Sequence, residues 1–339
     1  MGNTTVWKPS STAMYGSYLV YQILKEAGLP DGVINFCPGD GPTISKTLVT
    51  HPDMAGLHFT GGTKTFNTIW RTIGENLEGY KAYPRIVGET GGKNFHFVHE
   101  SADPRHVALN TVRGAFEYQG QKCSATSRMY VPRQMWDTTL KGMLVEELSK
   151  VKMGCVTEFD SFMCAVIDRT SFDKCARYIK AAEESPECEI IFGGKCDDSV
   201  GYFVEPTVIV TTNPKYETMC EEIFGPVLTV HAYDDFEETL ALCDETSNYA
   251  LTGSIFAQDR AAVVKASSAL RNAAGNFYIN DKSTGSIVGQ QPFGGARQSG
   301  TNDKSGSAIN LMRWTSVRSV KENFIPLTDF SYPSVSSEE

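Results

Sequence analysis

The feature that most constrains this chain is a strand–helix alternation repeated four times before residue 90. Residues 4–7 join β-branched and aromatic side chains and predict a strand. After Lys8-Pro9, Ser10 or Ser11 is placed to cap a helix carrying Tyr15, Leu19, Ile23 and Ala27, which Gly28 and Pro30 end. Residues 33–37 predict a strand, 42–50 a short helix and 56–60 another strand. Phe66, Ile69, Trp70, Ile73 and Leu77 recur at helical spacing ahead of a strand at 85–87. A chain that alternates in this way builds a parallel sheet covered by helices.

A second α/β unit follows Gly91-Gly92. Its expected helices are 107–118, 136–150, 172–184, 236–244 and 260–270, and its expected strands 128–131, 207–210, 227–231, 253–256 and 276–279. Residues 312–320 alternate like an exposed strand suited to pairing with another subunit, and the polar tail Ser336-Ser337-Glu338-Glu339 reads as frayed. A length of 339 residues suggests two domains. The net charge of -9, with no Lys/Arg-rich stretch, argues against nucleic acid or an anionic membrane as partner. No apolar run approaches the roughly 20 residues of a membrane span. No secretory leader is expected at the start, and Val6 stands where a myristoylation signal needs Ser or Thr.

Nine cysteines, an odd number with no Cys-x-x-Cys, predict reduced thiols rather than a disulfide framework or zinc ribbon. His96 and His99 are the one close histidine pair; on a strand they would face opposite sides, so no metal site is expected.

Three patterns carry candidate chemistry. Gly120-Gln121-Lys122-Cys123-Ser124 follows a predicted helix and sets a thiol beside a lysine, which could lower its pKa from the usual value of about 8.5. Gly88-Glu89-Thr90-Gly91-Gly92-Lys93 sets one carboxylate among glycines at a strand end, where α/β proteins place reactive groups. Glu221-Glu222-Ile223-Phe224-Gly225-Pro226 and Pro292-Phe293-Gly294-Gly295 are loops able to shape a pocket. Alone, each has a plainer reading: Cys123 as a small apolar residue, Glu89 as a solvated turn, Phe293 as core. Gly39-Asp40-Gly41 lacks the third glycine of a dinucleotide fingerprint. Together they fit a cysteine nucleophile with a carboxylate base.

In combination the motifs resemble the aldehyde dehydrogenases. Gly2-Asn3-Thr4-Thr5-Val6-Trp7-Lys8-Pro9-Ser10, Phe59-Thr60-Gly61, Gly88 to Lys93, Gly120 to Cys123, Glu222 to Pro226 and Pro292 to Gly295 occur in that family's order along essentially the whole chain. Residues 276–295, containing Asn280-Asp281-Lys282-Ser283-Thr284-Gly285-Ser286, are similar to the subfamily that oxidises glutamate γ-semialdehyde, the Δ1-pyrroline-5-carboxylate dehydrogenases of mitochondrial proline breakdown.

The resemblance implies an α/β, aldehyde dehydrogenase-like fold: a partial Rossmann-type NAD-binding domain over 1–88, an α/β catalytic domain over 89–295, and a C-terminal return and oligomerisation segment over 296–339. It implies Cys123 as nucleophile, forming a thiohemiacetal and then a thioester, and Glu89 as the base for thioester hydrolysis. The Cys123 amide would donate to the oxyanion. For the cofactor NAD it implies Lys8 at the adenosine ribose, Gly61 at the pyrophosphate turn, and Glu222 and Phe224 at the nicotinamide end. Lys122, Ser124, Gly285, Ser286 and Phe293 would bind substrate, the serines and Gly285 anchoring its α-carboxylate. It further implies a homodimer through the C-terminal strand and a mitochondrial matrix address. Departures are Gly62, where the family carries serine, and Ser11, where many members carry glutamate. The family also extends well beyond this chain on the N-terminal side, with further strands and an oxyanion asparagine. A catalytically impaired, associating fragment and a thiol esterase therefore stand beside the dehydrogenase reading.

Overall fold

The computed structural model describes residues 2–335, and the tail 336–339 lies outside them. The N-terminal alternation forms as two separate parallel pairs. β1 (Thr5–Trp7) and α1 (Met14–Glu26) lead to β2 (Ile34–Phe36), which pairs with β1. α2 (Gly41–Val49) is capped by the Asp40 carboxylate, which accepts from the Thr43 amide. β3 (Gly56–Thr60) then pairs with β4 (Arg85–Glu89) across α3 (Thr63–Glu75). Val49, Ile69 and Ile73 form a small core beneath the second pair. The expected serine cap of α1 is not made. A 3₁₀ turn at Ser11–Ala13 precedes that helix, and the Ser10 hydroxyl meets Thr12 instead.

The second unit is a seven-stranded sheet. β5 (Asn94–Val98) and β6 (Thr126–Pro132) lie at its centre, with α4 (Pro104–Phe116) between them in sequence. Thr252–Phe256 and then Asn276–Ile279 continue the sheet beyond β5; Val227–Tyr233, Thr207–Thr211 and Cys188–Phe192 continue it beyond β6. All pairs are parallel except the last. Apolar side chains pack both faces: Phe116, Leu140, Leu144 and Val230 on one, Phe95, Phe97, Leu240 and Leu270 on the other. Neither β5 nor Cys188–Phe192 was among the expected strands. In β5 His96 interrupts the apolar run, yet it is buried, its ring bonded to the Thr111 and Thr126 hydroxyls at 3.1 and 2.9 Å.

After Asn276–Ile279 the chain returns to β4. Gly300 bridges Glu89, and the Thr301 amide donates to the Gly88 carbonyl at 3.0 Å. Residues 312–320, expected as a strand, are not one in the single chain. Ala308–Met312 is a short helix, and residues 315–320 have no regular structure and are exposed. Among the described residues no neighbouring strand supplies the hydrogen bonds that an extended segment there would need.

Candidate active site

Glu89 ends β4 and is gripped through its backbone. The Gly61 amide donates to its carbonyl at 3.1 Å, and the Gly88 amide donates to the Thr301 hydroxyl at 3.0 Å. Gly88 has no room for a side chain, since a Cβ there would lie 2.2 Å from the Phe66 ring. The Glu89 side chain is buried, and neither carboxylate oxygen has a hydrogen-bond partner. Burial pushes its pKa up to about 7; the Lys304 ammonium pulls against that shift and Asp303 adds to it. Lys304 is held by the Gly275 and Gly294 carbonyls, to which its Nζ donates at 2.7 and 3.2 Å.

Cys123 lies on the loop between α4 and β6. Tyr118 and Gln119 enter that loop in the left-handed region, at φ 55° and 56°. Gly120 follows at φ 63°, so close to the Gly225 carbonyl that a Cβ would come within 2.4 Å. Asn94 pins the far side: its Nδ2 donates to the Cys123 and Ala125 carbonyls at 2.8 Å each, and its Oδ1 accepts the Thr252 amide at 3.0 Å.

The thiol departs from the expectation of a lowered pKa. It is pushed up to about 11, by burial first and then by the Glu89 and Glu222 carboxylates; the amides of Ser124 and Cys123 itself, directed at the sulfur, oppose the rise. Lys122 does not supply the expected cation, because its Nζ donates to Glu117 at 2.8 Å.

Glu222 approaches from the other side, its carboxylate accepting the Gly92 amide at 2.9 Å and lying against Gly91, where a Cβ would come within 2.4 Å. Burial raises its pKa. Phe224 is half-exposed and left-handed, at φ 62°. The structure thus brings Cys123, Glu89, Glu222 and Gly61 together. Lys8 lies apart from the thiol, beside Gly41 and the Asp40 cap. Next to Gly61 in sequence, Gly62 begins α3 with open space where a Cβ would point, and no acidic residue occupies the first turn. A helix N-terminus with no side-chain cap suits an anionic pyrophosphate, and Lys8 at the start of α2 adds a cation on the same N-terminal unit, so the residues present fit a dinucleotide.

Of the substrate candidates, Ser124 follows Cys123 in the chain and is tied to the 283–284 turn. The Ser124 hydroxyl shares a hydrogen bond of 2.7 Å with Thr284, and the Ser283 hydroxyl donates to the Ser124 carbonyl at 3.2 Å. Gly285 is exposed and left-handed, at φ 89°. Ser286 donates to the Gln291 carbonyl at 3.1 Å, while Phe293 and Ser305 exchange backbone hydrogen bonds. Sequence reasoning missed Asn94, Thr284 and Lys304, whose partners lie far along the chain. It also missed a buried cationic pair. Arg128 donates to the carbonyls of Lys93 and Cys243, while Lys93 has an unpartnered ammonium whose pKa burial and Arg128 push down to about 7.

The family model described as "Aldehyde dehydrogenase family" matches residues 1–320. The chain belongs to the aldehyde dehydrogenase family. It is 58% identical over 337 residues to the mitochondrial Delta-1-pyrroline-5-carboxylate dehydrogenase of Dictyostelium discoideum, covering 98% of this chain and 60% of that protein. Against the human protein of the same name it is 54% identical over 335 residues, covering 98% and 59%. A Mycobacterium tuberculosis Delta-pyrroline-5-carboxylate dehydrogenase structure bound with NAD superposes with a TM-score of 0.91 at 47% identity, over 99% of this chain and 62% of that one. The aldehyde dehydrogenase chain described here therefore spans about three fifths of the length of the relatives it matches.

Proposed function

We propose that this chain carries the acyl-transfer machinery of an NAD-dependent oxidation of L-glutamate γ-semialdehyde, formed from 1-pyrroline-5-carboxylate, to L-glutamate in proline breakdown. The observation that carries the proposal is the meeting of a half-buried thiol, Cys123, with a buried, unpartnered carboxylate, Glu89. Relatives at 52–58% identity bear the name of that activity.

Cys123 sheds its proton and its sulfur bonds to the aldehyde carbon, leaving the carbonyl oxygen as an oxyanion within reach of the loop amides. When bound, NAD supplies the acceptor for the hydride that leaves this carbon. Lys8, Gly61 with the open start of α3, Glu222 and Phe224 would hold it. Glu89 then takes a proton from the water that attacks the thioester. With its pKa at about 7 it is partly ionised at neutral pH, as a general base should be. The C–S bond breaks, the acid leaves and the thiol regains its proton. Ser124, Gly285 and Ser286 anchor the α-carboxylate, Phe293 lines the aliphatic part, and Lys122 borders the nucleophile.

The proposal extends to a homodimer through the C-terminal segment, where Val317, Phe324 and Leu327 are exposed, and to the mitochondrial matrix, in keeping with the word "mitochondrial" in the names of several relatives. A second reading, a catalytically impaired fragment that acts by association, is favoured by α1, which buries none of its residues. Incubation with NAD and glutamate γ-semialdehyde separates the two. The proposal expects NADH from the chain and none from Cys123→Ala; a folded preparation that yields no NADH supports the fragment.

A further inference from the structure

The anchoring of an α-carboxylate raises a question of charge. Its serine hydroxyls already have protein partners: Ser124 shares a hydrogen bond with Thr284, and Ser286 donates to the Gln291 carbonyl. Lys122, the cation nearest in sequence to the nucleophile, is neutralised by Glu117. A carboxylate drawn from water onto hydroxyls and one amide alone would be poorly compensated.

Lys282 is placed to supply the missing charge. The 281–286 turn is riveted to the nucleophile loop: Ser283 and Thr284 are buried and bonded to Ser124, and Ser283 also meets the Thr126 hydroxyl at 2.9 Å. Gly285 follows in this turn at φ 89°, and in the direction where a side chain would project stands the Lys282 ammonium, 3.2 Å from the Cβ position. Among the described residues Lys282 makes no ion pair and its Nζ no hydrogen bond. Asp281, next to it, uses one carboxylate oxygen to accept the Lys282 amide at 2.8 Å.

We propose that Lys282 is a specificity-determining residue whose ammonium, held over Gly285, pairs with the α-carboxylate of the substrate and selects amino-acid semialdehydes over uncharged aldehydes. The role rests on the proposed function, since it needs Gly285 at the carboxylate end of the pocket. It also gives Gly285 a reason to be glycine beyond its backbone conformation, because any side chain there would displace the ammonium.

The test needs no turnover. Alkylation of Cys123 by iodoacetamide, followed by mass spectrometry of the Cys123 peptide, measures protection by L-glutamate and by its α-amide, L-isoglutamine. A charge-assisted contact that is partly exposed corresponds to on the order of tenfold in binding. Lys282→Met should raise the half-protecting glutamate concentration about tenfold and leave isoglutamine unchanged, while Lys282→Arg should stay close to the parent chain. Equal glutamate protection of the parent chain and Lys282→Met overturns the role of Lys282 and leaves the proposed function standing. A parent chain that glutamate does not protect overturns the substrate reading and the Lys282 role with it. Unchanged isoglutamine protection certifies that the variant retains the pocket.

Discussion

The N-terminal pairs and the seven-stranded sheet follow the same strand–helix grammar with opposite outcomes. In the sheet, β5 and β6 are flanked by strands and covered on both faces, and Phe95, Phe97 and Val131 are fully buried. In the N-terminal region β1–β2 and β3–β4 stay as separate two-stranded units, and Tyr15 and Ile23 of α1 are 75% and 63% exposed. An amphipathic helix buries its apolar stripe only if a sheet lies beneath it, and a two-stranded unit offers little surface. The proposed chemistry rests largely on the better-covered side. Cys123 hangs from β5 and β6 through Asn94, and Glu89, at the end of the exposed side, is clamped by Gly300 and Thr301.

The largest expected effect falls on the chemistry. Cys123→Ala should lower hydrolysis of an activated ester by at least about a thousandfold, because no other group replaces the nucleophile. Activity that survives would move the reaction away from this loop.

Stability should divide along the same line. Phe116→Ala, in the packed face of the sheet, should cost about 3–5 kcal/mol in urea unfolding. Tyr15→Ala, on the exposed face of α1, should stay within about 0.5 kcal/mol. A Tyr15 cost as large as that of Phe116 would mean that α1 is covered in solution and that the contrast fails.

Glu89 makes the comparison pH-dependent. Its folded pKa of about 7 exceeds the 4.5 of an ordinary glutamate, so the folded state holds the proton more tightly than the unfolded one. The carboxylate thus costs nothing below about pH 4.5, and its cost grows as pH rises to about 7 and is constant above. At about 1.4 kcal/mol per pKa unit, Glu89→Gln should be more stable than the parent by about 3–4 kcal/mol at pH 8, a gain that vanishes near pH 4.5. A gain independent of pH would show that burial does not raise this carboxylate. A small gain is expected at Gly16, within α1 with open space around it. Gly16→Ala should stabilise the chain by roughly 0.5–1 kcal/mol, visible as a small rise in melting temperature.

Strands bounded by turn residues were legible in the sequence: Gly56–Thr60 and Asn276–Ile279 form over the expected residues. β5 was not, because a buried histidine satisfied by two threonine hydroxyls looks polar in one dimension. The site divides in the same way. Local motifs singled out Glu89, Cys123 and Glu222, whereas their electrostatics came from distant residues. Lys122 suggested an acidified thiol, but Glu117 takes its charge, while burial and two carboxylates drive the thiol upward. Lys304, the cation that does act on Glu89, arrives from the far end of the chain and carries no local signal.

The central claim is that Cys123 takes the acyl group and Glu89 releases it. Intact-mass and peptide mapping after mixing with p-nitrophenyl acetate, with no cofactor present, tests it most directly. The account predicts a transient acetyl group on Cys123 in the parent chain and a persistent one in Glu89→Gln. An acetyl group on another residue, or one lost equally fast from both proteins, would contradict it.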